Sequence, residues 1–468
     1  MLTVLGALFV TAVLTVVFDR NERAGRPERI VLWLLGLLVV ESTLYPSPFE
    51  VPTSLVHPQL GGTNFRLVDL VVLAALAVRL RHVGLPRSLR TTSLLWGTFL
   101  LWVVVEALLG VVNGGDIVLL LFEAKAVVYL STMVLAGGVP AHRWRERAVL
   151  SFLISMGGLC AVLVVSAGVG ASVDLPIPLL PIKGLGGMGS DGATVFATLG
   201  LLALGLALAS RLRQVPLLLA AVSMLVTTVA AGQRAALIFA VVGAVVLVGT
   251  AVLSRHNLLA VTGVDVMLAI MLVTAVVIPF GVAVSVNGSR GLPFASTVSE
   301  VVDGRGKQLS AKGRLDQWRA VRPIIAARPL LGHGLGRTYQ YYEPGPPASL
   351  VTSDVTHNVP GDLLLRTGLV GLLLFGAAMT STVGDGFRAW RRATDRVLGV
   401  LALAATTAVI AWFCKGQVES LLEKYRLAVL LGLCVGMVHS LSSTRGDVNG
   451  AVDATTRPAP SRSHTLLR

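Results

Sequence analysis

The chain has 468 residues, of which 54% are hydrophobic and 14% are charged, and its formal net charge at pH 7 is +14. Soluble domains carry about 25% charged residues, so this composition excludes a soluble enzyme. A positive charge of this size can indicate nucleic-acid binding. Arginines that orient membrane helices explain it better, and no basic-aromatic stripe accompanies it. We therefore expect the membrane, and no nucleic acid, among the partners of this protein.

The apolar residues form continuous blocks of about 17–25 residues, the length at which a helix crosses a hydrocarbon core of roughly 30 Å. Within lipid only a helix or a closed barrel satisfies its own backbone, and continuous rather than alternating blocks favour helices. The sequence therefore predicts an all-α, polytopic membrane protein with about 12–14 transmembrane helices and one large outer loop that contains short helices. In chain order the predicted helices are 2–18, 30–45, 67–80, 92–111, 117–138, 148–170, 191–210, 215–231, 235–253, 259–287, 361–383, 397–414 and 427–442.

Arginines concentrate in alternate connections between the predicted helices. By the positive-inside rule those connections face the cytoplasm, which places the N-terminus outside and the C-terminus inside. The predicted division has transmembrane helices in 1–286, a large extracytoplasmic loop at 287–360, further helices in 361–442 and a disordered cytoplasmic tail at 443–468. The arginine-rich connections are 20–29, 79–90, 143–147, 211–213, 255 and 388–396.

The connection at 287–360 differs from the others because it holds about 70 residues, and ordered loops of such length usually carry function. It contains a helix signal at 314–326, with Pro323 as an expected kink. Long translocated loops escape the charge rule, so its basic residues do not contradict an outer location. Polar residues that could carry chemistry lie in this loop or at the outer end of a neighbouring helix: Arg234, Arg314, Arg322, Asp354, His357 and Asn358.

Several short motifs in this region resemble those of the O-antigen ligase and polysaccharide polymerase superfamily. Three of them are Gly-Arg-Leu-Asp-Gln-Trp at 313–318, Pro-Leu-Leu-Gly-His-Gly-Leu-Gly at 329–336, and His357-Asn358 followed by Gly-Leu-Val-Gly at 368–371. Gly-Gln-Arg-Ala-Ala at 232–236 is similar to the family's small-residue-then-arginine motif at the start of a helix. The resemblance covers the region from about 190 to 385, and elsewhere it is limited to helix count and hydropathy.

Members of this superfamily transfer a glycan from undecaprenyl diphosphate to an acceptor hydroxyl on the outer face of the bacterial inner membrane, without a metal. The resemblance implies that Arg234 and Arg314 hold the diphosphate, that His357 serves the acceptor hydroxyl, and that neither metal nor cofactor is needed. The chemistry agrees, because guanidinium groups meet phosphate oxygens bidentately and histidine can take a hydroxyl proton near neutral pH. The implied partners are an undecaprenyl-diphosphate-linked glycan and an acceptor glycan or lipid.

Four further residues could support the site: Arg322, Asp354, Asn358 and Arg366. Asp354 could orient His357. Arg322 could contribute to a basic funnel for an anionic carrier, although plain solvation is an equal alternative. Arg366 is a departure, since the family usually has an acidic residue between the His-Asn pair and the following glycine. This arginine could alter the acceptor site or add a third contact to the diphosphate.

Structural roles stay open for several of these polar and aromatic side chains. Arg234 could extend from a helix end to phospholipid headgroups. Trp318 is expected to pack or to anchor at the interface, with sugar stacking as the alternative. His333, between glycines, is expected to be a turn residue. Glu123 and Lys125 lie two positions apart within the predicted fifth helix, so they face different ways, and each is expected to pair with a neighbouring helix.

The function that these residues favour is inverting, metal-independent glycan transfer, with a surface-polysaccharide polymerase slightly preferred. Alternatives within the family are O-antigen ligase-type transfer to a lipid and transfer to a protein. A different class would be a transporter or flippase of a lipid-linked sugar, which is expected to place its ionisable residues near the bilayer midplane. In this sequence the ionisable residues gather in one outer loop, which favours an enzyme.

Overall fold

The computed structural model describes residues 2–43, 59–60, 63–64, 67–83, 91–168, 189–209, 214–231, 233–253, 305–343, 349–353, 356–422 and 424–443. Within these ranges the protein is almost entirely helical, with two short antiparallel pairs of strands. Seven of the described helices are long and apolar enough to cross a membrane. The predicted class, a polytopic helical membrane protein, is confirmed. The predicted helix at 259–287 and the tail after residue 443 lie outside the described residues.

Most described helices begin and end within a few residues of the predicted positions. The first part of the chain forms α1 (Leu2–Arg23), α2 (Glu28–Thr43), β1 (Gln59–Leu60), β2 (Thr63–Asn64), α3 (Leu67–Val83), α4 (Thr91–Val112), α5 (Ile117–Leu130), α6 (Thr132–Gly137), a 3₁₀ turn (Ala141–Arg145) and α7 (Arg147–Gly168). The remainder forms α8 (Ser190–Ala209), α9 (Gln214–Ala230), α10 (Arg234–Leu253), α11 (Arg305–Ala327), β3 (Tyr339–Glu343), β4 (Ser349–Ser353), α12 (Val359–Arg392), α13 (Arg396–Gly416) and α14 (Tyr425–Ser442).

The centre of the described bundle is α8, whose apolar span is buried throughout. It packs against α2, α9, α10 and α13. Its sequence mixes small and aliphatic residues, and small residues let membrane helices approach closely. A Cβ added at Gly205 would lie 2.8 Å from the Cβ of Ala404 on α13. Glycine at this position therefore permits the close packing of α8 and α13.

The helix α12 extends beyond the predicted limits of 361–383 at both ends, since it contains 34 residues. It is not one straight rod, because Gly368 has φ 63° and ψ −168°. This conformation is open essentially to glycine alone. The break divides α12 into a short segment, residues 359–367, and a long apolar span, residues 369–392. The short segment follows directly on His357 and Asn358.

The predicted outer loop contains a long helix and a β-hairpin in its described part. The helix α11 begins at Arg305 rather than at the predicted position 314. β3 and β4 pair antiparallel, with Tyr339 opposite Ser353. Val321, Tyr339 and Leu365 form a small buried cluster that joins α11, the hairpin and α12. The prediction of short helices alone was therefore incomplete, because aromatic and β-branched residues on both sides of a Pro- and Gly-rich stretch of sequence are a hairpin signal.

Candidate functional site

A pocket of about 370 Å³ lies where α11 meets the start of α12. Three separate stretches of chain line it: α11, residues 356–358 directly before α12, and residues 417–418 directly after α13. The lining side chains of α11 are Arg314, Leu315, Gln317 and Trp318. Two of the motifs singled out in the sequence therefore meet in one pocket.

The backbone at the start of α12 is fixed by an N-cap. Asn358 is extended (φ −153°, ψ 147°), and its Oδ1 accepts a hydrogen bond of 2.6 Å from Gly361 N. Its carbonyl oxygen accepts from Asp362 N at 3.1 Å and from Thr356 Oγ1 at 2.9 Å. Asparagine is a preferred N-cap because its side-chain oxygen pairs with an amide that the first turn leaves open. The cap thus holds the backbone beside His357, whose side chain is exposed in the pocket wall.

Trp318 packs against the first turn of α12. A Cβ added at Gly361 would lie 2.8 Å from Cζ3 of this ring, so the contact requires glycine. Trp318 is nevertheless 40% exposed. Part of the ring therefore serves the packing role expected from the sequence, and the exposed part adds an aromatic face to the pocket.

Arg314 supplies the positive charge of the pocket. Its side chain is exposed, and no acidic side chain is among the described residues that line the cavity. Arg319 on the same helix instead pairs with Asp316 at 3.1 Å. Arg322 is exposed and does not line the pocket. The described lining therefore suits an anionic ligand. Nowhere in the described part of the chain are three or more His, Cys, Asp or Glu side chains grouped so as to hold a metal ion.

Gln317 is a pocket residue that sequence reasoning missed. It is 4% exposed, and its Oε1 is buried without a hydrogen-bond partner among the described residues. A buried acceptor without a partner is unfavourable, so this oxygen is available to a ligand that can donate a hydrogen bond. Nothing in the sequence distinguishes a glutamine between Asp316 and Trp318, and only the fold reveals it.

Two of the residues predicted for the site have side chains outside the described part of the structure. Arg234 is the first residue of α10, as its motif predicts, but its side chain lies outside the described part of the structure. Asp354 lies outside the described residues altogether. The roles assigned to Arg234 and Asp354 stay predictions.

Comparison with protein-family models gives a match at residues 219–376, to the family described as O-antigen ligase. The matched range includes α11, the capped start of α12 and the motifs found in the sequence. This stretch of the chain is similar to the O-antigen ligase family, which supports the O-antigen ligase and polysaccharide polymerase superfamily. The resemblance predicted from those motifs is confirmed. A search of curated proteins found no match to the chain.

The similarity to this family indicates glycan transfer of the O-antigen ligase or polymerase type. The substrates it implies are a lipid-linked glycan and an acceptor in a membrane. Together with the apolar helices, it indicates a multi-pass bacterial membrane protein.

In this protein, the glycine-rich stretch at 329–336, called here the glycine loop, folds as a tight turn. Gly332, Gly334 and Gly336 have φ values of 74°, 83° and 80°, a region that favours glycine. Nε2 of His333 lies 2.7 Å from the carbonyl oxygen of Ile324. The turn role expected for His333 is confirmed.

The amides of the glycine loop are bound by neighbouring helices. His333 N and Gly334 N each donate to a carbonyl of the short segment of α12 at 3.0 Å. Leu335 N donates to a carbonyl on α4 at 3.1 Å, and Gly336 N donates to Oε2 of Glu123 at 2.8 Å. Because these four amides already have protein partners, they anchor α12 to α4 and α5 and are not open to a phosphate.

Arg366 lies among the helices beside the glycine loop and not in the pocket wall. It is 5% exposed, with Nη1 at 3.1 Å from Oε2 of Glu123 and Nε at 3.2 Å from Oδ1 of Asp362. This guanidinium is buried between two carboxylates and does not line the pocket. The two roles considered for Arg366, a changed acceptor site and a third contact to the diphosphate, stay predictions. Lys125 pairs with Asp69 at 2.9 Å. The pairing of Glu123 and Lys125 with neighbouring helices is confirmed.

An ionic network holds the connection between α13 and α14, which supplies residues 417–418 to the pocket. Glu419 accepts a hydrogen bond of 2.9 Å from Ser190 Oγ, lies 3.2 Å from Nζ of Lys415 and also pairs with Lys424. Burial alone would raise the pKa of the Glu419 carboxyl, but the Lys415 and Lys424 ammoniums hold that pKa below its usual value. An ionised Glu419 therefore fixes this wall of the pocket at neutral pH.

Proposed function

We propose that this protein transfers a glycan from undecaprenyl diphosphate to an acceptor hydroxyl, with inversion and without a metal, on the extracytoplasmic face of the inner membrane. The acceptor that we favour is a growing surface polysaccharide, which would make the protein a polymerase. The observation that carries the proposal is the pocket at the start of α12, where Arg314 and His357 line the same cavity. The two residues come from separate motifs and serve the two halves of the reaction.

In this proposal Arg314 binds the diphosphate. A planar guanidinium forms two parallel hydrogen bonds with phosphate oxygens, and the described pocket lining contains no carboxylate to compete for it. Negative charge grows on the diphosphate as the glycan leaves, and a fixed cation stabilises that charge. Arg234 at the start of α10 is proposed as a second contact, and Arg322 as part of a basic approach to the pocket.

His357 takes the proton of the acceptor hydroxyl. The hydroxyl oxygen bonds to the anomeric carbon while the bond from that carbon to the diphosphate oxygen breaks, and the electron pair leaves with the diphosphate. A single displacement of this kind inverts the anomeric configuration. Gln317 Oε1 accepts a hydrogen bond from the sugar, Asp354 is proposed to orient His357, and Asn358 holds the backbone at His357 through its cap.

Two other functions agree with part of the same observations. Ligase-type transfer to a lipid or protein needs the same groups, and the acceptor alone separates it from polymerisation. A transporter or flippase of lipid-linked sugar would use charged groups along a path through the bundle. Several charged groups inside the described bundle instead pair with one another, as Lys125 with Asp69 at 2.9 Å and Arg79 with Glu22 at 2.6 Å. Glu106 is an exception, because it is fully buried and its carboxylate oxygens have no hydrogen-bond partner among the described residues. The position of Arg314 and His357 in one pocket therefore favours transfer over transport.

A complementation assay tests the proposed chemistry. In a strain deleted for the gene, the plasmid-borne protein is expected to restore the surface polysaccharide. His357→Ala is expected to lower transfer by about 100- to 10,000-fold, the usual contribution of a positioned proton acceptor. Arg314→Ala is expected to abolish or greatly reduce transfer. Arg314→Lys is expected to restore transfer only in part, because the lysine ammonium is a point charge and cannot form the two parallel hydrogen bonds of a guanidinium. All three variants should reach the membrane at normal levels.

Arg319→Ala is the matched control, because Arg319 lies on the same helix, pairs with Asp316 and does not line the pocket. It should leave the yield of polysaccharide unchanged. Full activity of both His357→Ala and Arg314→Ala would contradict the proposal.

Purified protein should also turn over in EDTA, and a loss of turnover that magnesium restores would contradict the metal-free mechanism. Products with many repeated units would identify a polymerase, and single transfers would identify a ligase.

A further inference from the structure

Glu123 on α5 joins two other elements through a single oxygen atom. Its Oε2 lies 3.1 Å from Nη1 of Arg366 on α12 and accepts the hydrogen bond of Gly336 N at 2.8 Å. Glu123 is 4% exposed and Arg366 is 5% exposed, so both charges are enclosed by protein. One buried carboxylate therefore ties α5, the glycine loop and the short segment of α12 together.

The short segment of α12, residues 359–367, takes its position from these neighbours and not from the rest of its own helix. The break at Gly368 leaves its last carbonyls without helical partners. The carbonyl oxygens of Leu365 and Arg366 accept from the glycine loop at 3.0 Å, and that of Thr367 accepts from Nε1 of Trp102 at 3.1 Å. The contacts at this end therefore determine where the segment lies.

The other end of the same segment begins in the pocket. Its first turn is capped by Asn358, and His357 precedes the cap. A hydrogen-bonded helical segment moves as a unit, so a shift at Arg366 is transmitted to His357. Arg366 is also paired with Asp362 at 3.2 Å, one turn earlier, which fixes the guanidinium to the side of the segment that it holds.

We propose that the Glu123–Arg366 pair is a positioning pair for His357, an inference that rests on the proposed function. The pair holds the short segment in one orientation, so that His357 faces the glycan whose diphosphate is bound at Arg314, and it does not contact substrate itself. Stability alone is a poor explanation, because a well-packed apolar pair is often as stable as a buried ion pair. The contact between the Arg366 guanidinium and the Glu123 carboxylate is directional in a way that apolar packing is not.

The variant Glu123→Gln provides the first test. Glutamine keeps a carbonyl oxygen for Gly336 N and nearly the same size, but it removes the charge that holds Arg366. The assay uses purified full-length protein in nanodiscs, and the donor is the lipid-linked oligosaccharide that accumulates in cells deleted for the gene. We expect kcat to fall on the order of 10- to 100-fold, as for a misplaced reacting group. The KM for the donor should stay within about two-fold, because the binding groups are untouched.

The double variant Glu123→Leu/Arg366→Met separates positioning from stability. It removes both charges and restores apolar packing, so we expect an unfolding temperature close to that of the wild type and a kcat as low as that of Glu123→Gln. A wild-type kcat in this variant would overturn the proposal. If neither variant folds, Arg366→Lys is used instead. Lysine keeps the positive charge but lacks the planar guanidinium that can form two parallel hydrogen bonds. A lowered kcat at unchanged KM supports positioning, and a wild-type kcat overturns it.

Glu22→Gln is the matched control. It breaks an equally buried pair, with Arg79 at 2.6 Å and side chains 5% and 6% exposed, that includes no residue of α11, α12 or the pocket. Its kcat should be unchanged, and a loss as large as that of Glu123→Gln would overturn the proposal in favour of general destabilisation. His357→Ala in the same assay distinguishes a failure of the role proposed for His357 from a failure of the positioning role alone. An active His357→Ala removes the proposed role of His357 as proton acceptor, whereas an inactive one beside a normal Glu123→Gln removes only the positioning role.

Discussion

At the scale of single residues, the Gln317 amide is a binding group that the fold holds in the pocket although its burial lowers the stability of the protein. Its buried Oε1 has no hydrogen-bond partner in the part of the chain that the structure describes. An unsatisfied buried acceptor destabilises a protein by about 1–3 kcal/mol. A ligand hydroxyl that donates to this oxygen offsets part of that destabilisation. The amide therefore favours a hydroxyl-bearing acceptor such as a sugar over an apolar one.

The substitution Gln317→Leu is expected to separate binding from stability. Leucine keeps similar bulk but cannot accept a hydrogen bond, so the KM for the acceptor should rise by about 10-fold, the effect of roughly 1.4 kcal/mol. The unfolding temperature should not fall, because the change removes a buried unpaired acceptor. Steady-state kinetics with varied acceptor and thermal unfolding in detergent measure the two effects. Gln340→Leu on the exposed face of β3 is the control. An unchanged acceptor KM in Gln317→Leu would rule out contact between this amide and the acceptor.

At the scale of elements, α12 organises the site because its two parts serve different purposes. The long span, residues 369–392, crosses the bundle, and the short segment ends in the pocket. Gly368 makes this division possible, and the glycine loop packs directly against the break. A Cβ added at Gly368 would lie 2.2 Å from the carbonyl oxygen of Leu330. Both the backbone conformation and the space around it therefore require glycine.

Gly368→Ala is expected to destabilise the protein strongly. The backbone conformation alone costs a non-glycine residue about 1–3 kcal/mol, and the clash with the glycine loop adds to it. Gly376→Ala in the same helix is the matched control, because a Cβ there meets nothing within 4 Å. Unfolding temperature and the amount of protein in the membrane measure the difference. Equal stability of the two variants would contradict the division of α12 at Gly368.

The same element shows how far the sequence could predict the site. Asn358 followed by Pro360 is a helix-start signal, and it predicts the start of α12 to within a few residues. The break was not predictable, because a glycine inside an apolar helix is usually tolerated without interruption. The hairpin of β3 and β4 had a signal that the helix-based reading overlooked. Gln317 and residues 417–418 join the pocket through tertiary packing alone, so no local pattern marks them.

At the scale of the whole molecule, the described bundle is polar where the site lies. The pocket is formed by the start of α12, the connection after α13, and α11, while α8 fills the centre with apolar residues. The family match at residues 219–376 indicates glycan transfer, and several of the charged groups inside the described bundle are held in ion pairs. What decides the biological role is which side of the membrane the pocket faces.

The orientation can be tested with cysteines at the two ends of this part of the bundle. The long span of α12, residues 369–392, would extend for about 36 Å at 1.5 Å per residue, which exceeds a hydrocarbon core of roughly 30 Å. The pocket and Arg392 should therefore lie on opposite sides. In a background without the half-buried Cys414, a cysteine replacing the exposed Thr352 on β4 should react with an impermeant thiol reagent in intact cells.

A cysteine replacing the exposed Arg392 should react only after the cells are permeabilised, because arginines of the 388–396 connection orient this end towards the cytoplasm. Cys160 and Cys434 are buried and should give little background. The Thr352→Cys protein should be labelled to the same level before and after permeabilisation. This control shows that the assay measures access of the reagent to the cysteine and not a change in the reactivity of the cysteine. The reverse pattern would place the pocket in the cytoplasm. An extracytoplasmic transferase would then be excluded, since His357 and Arg314 would face the cytoplasm.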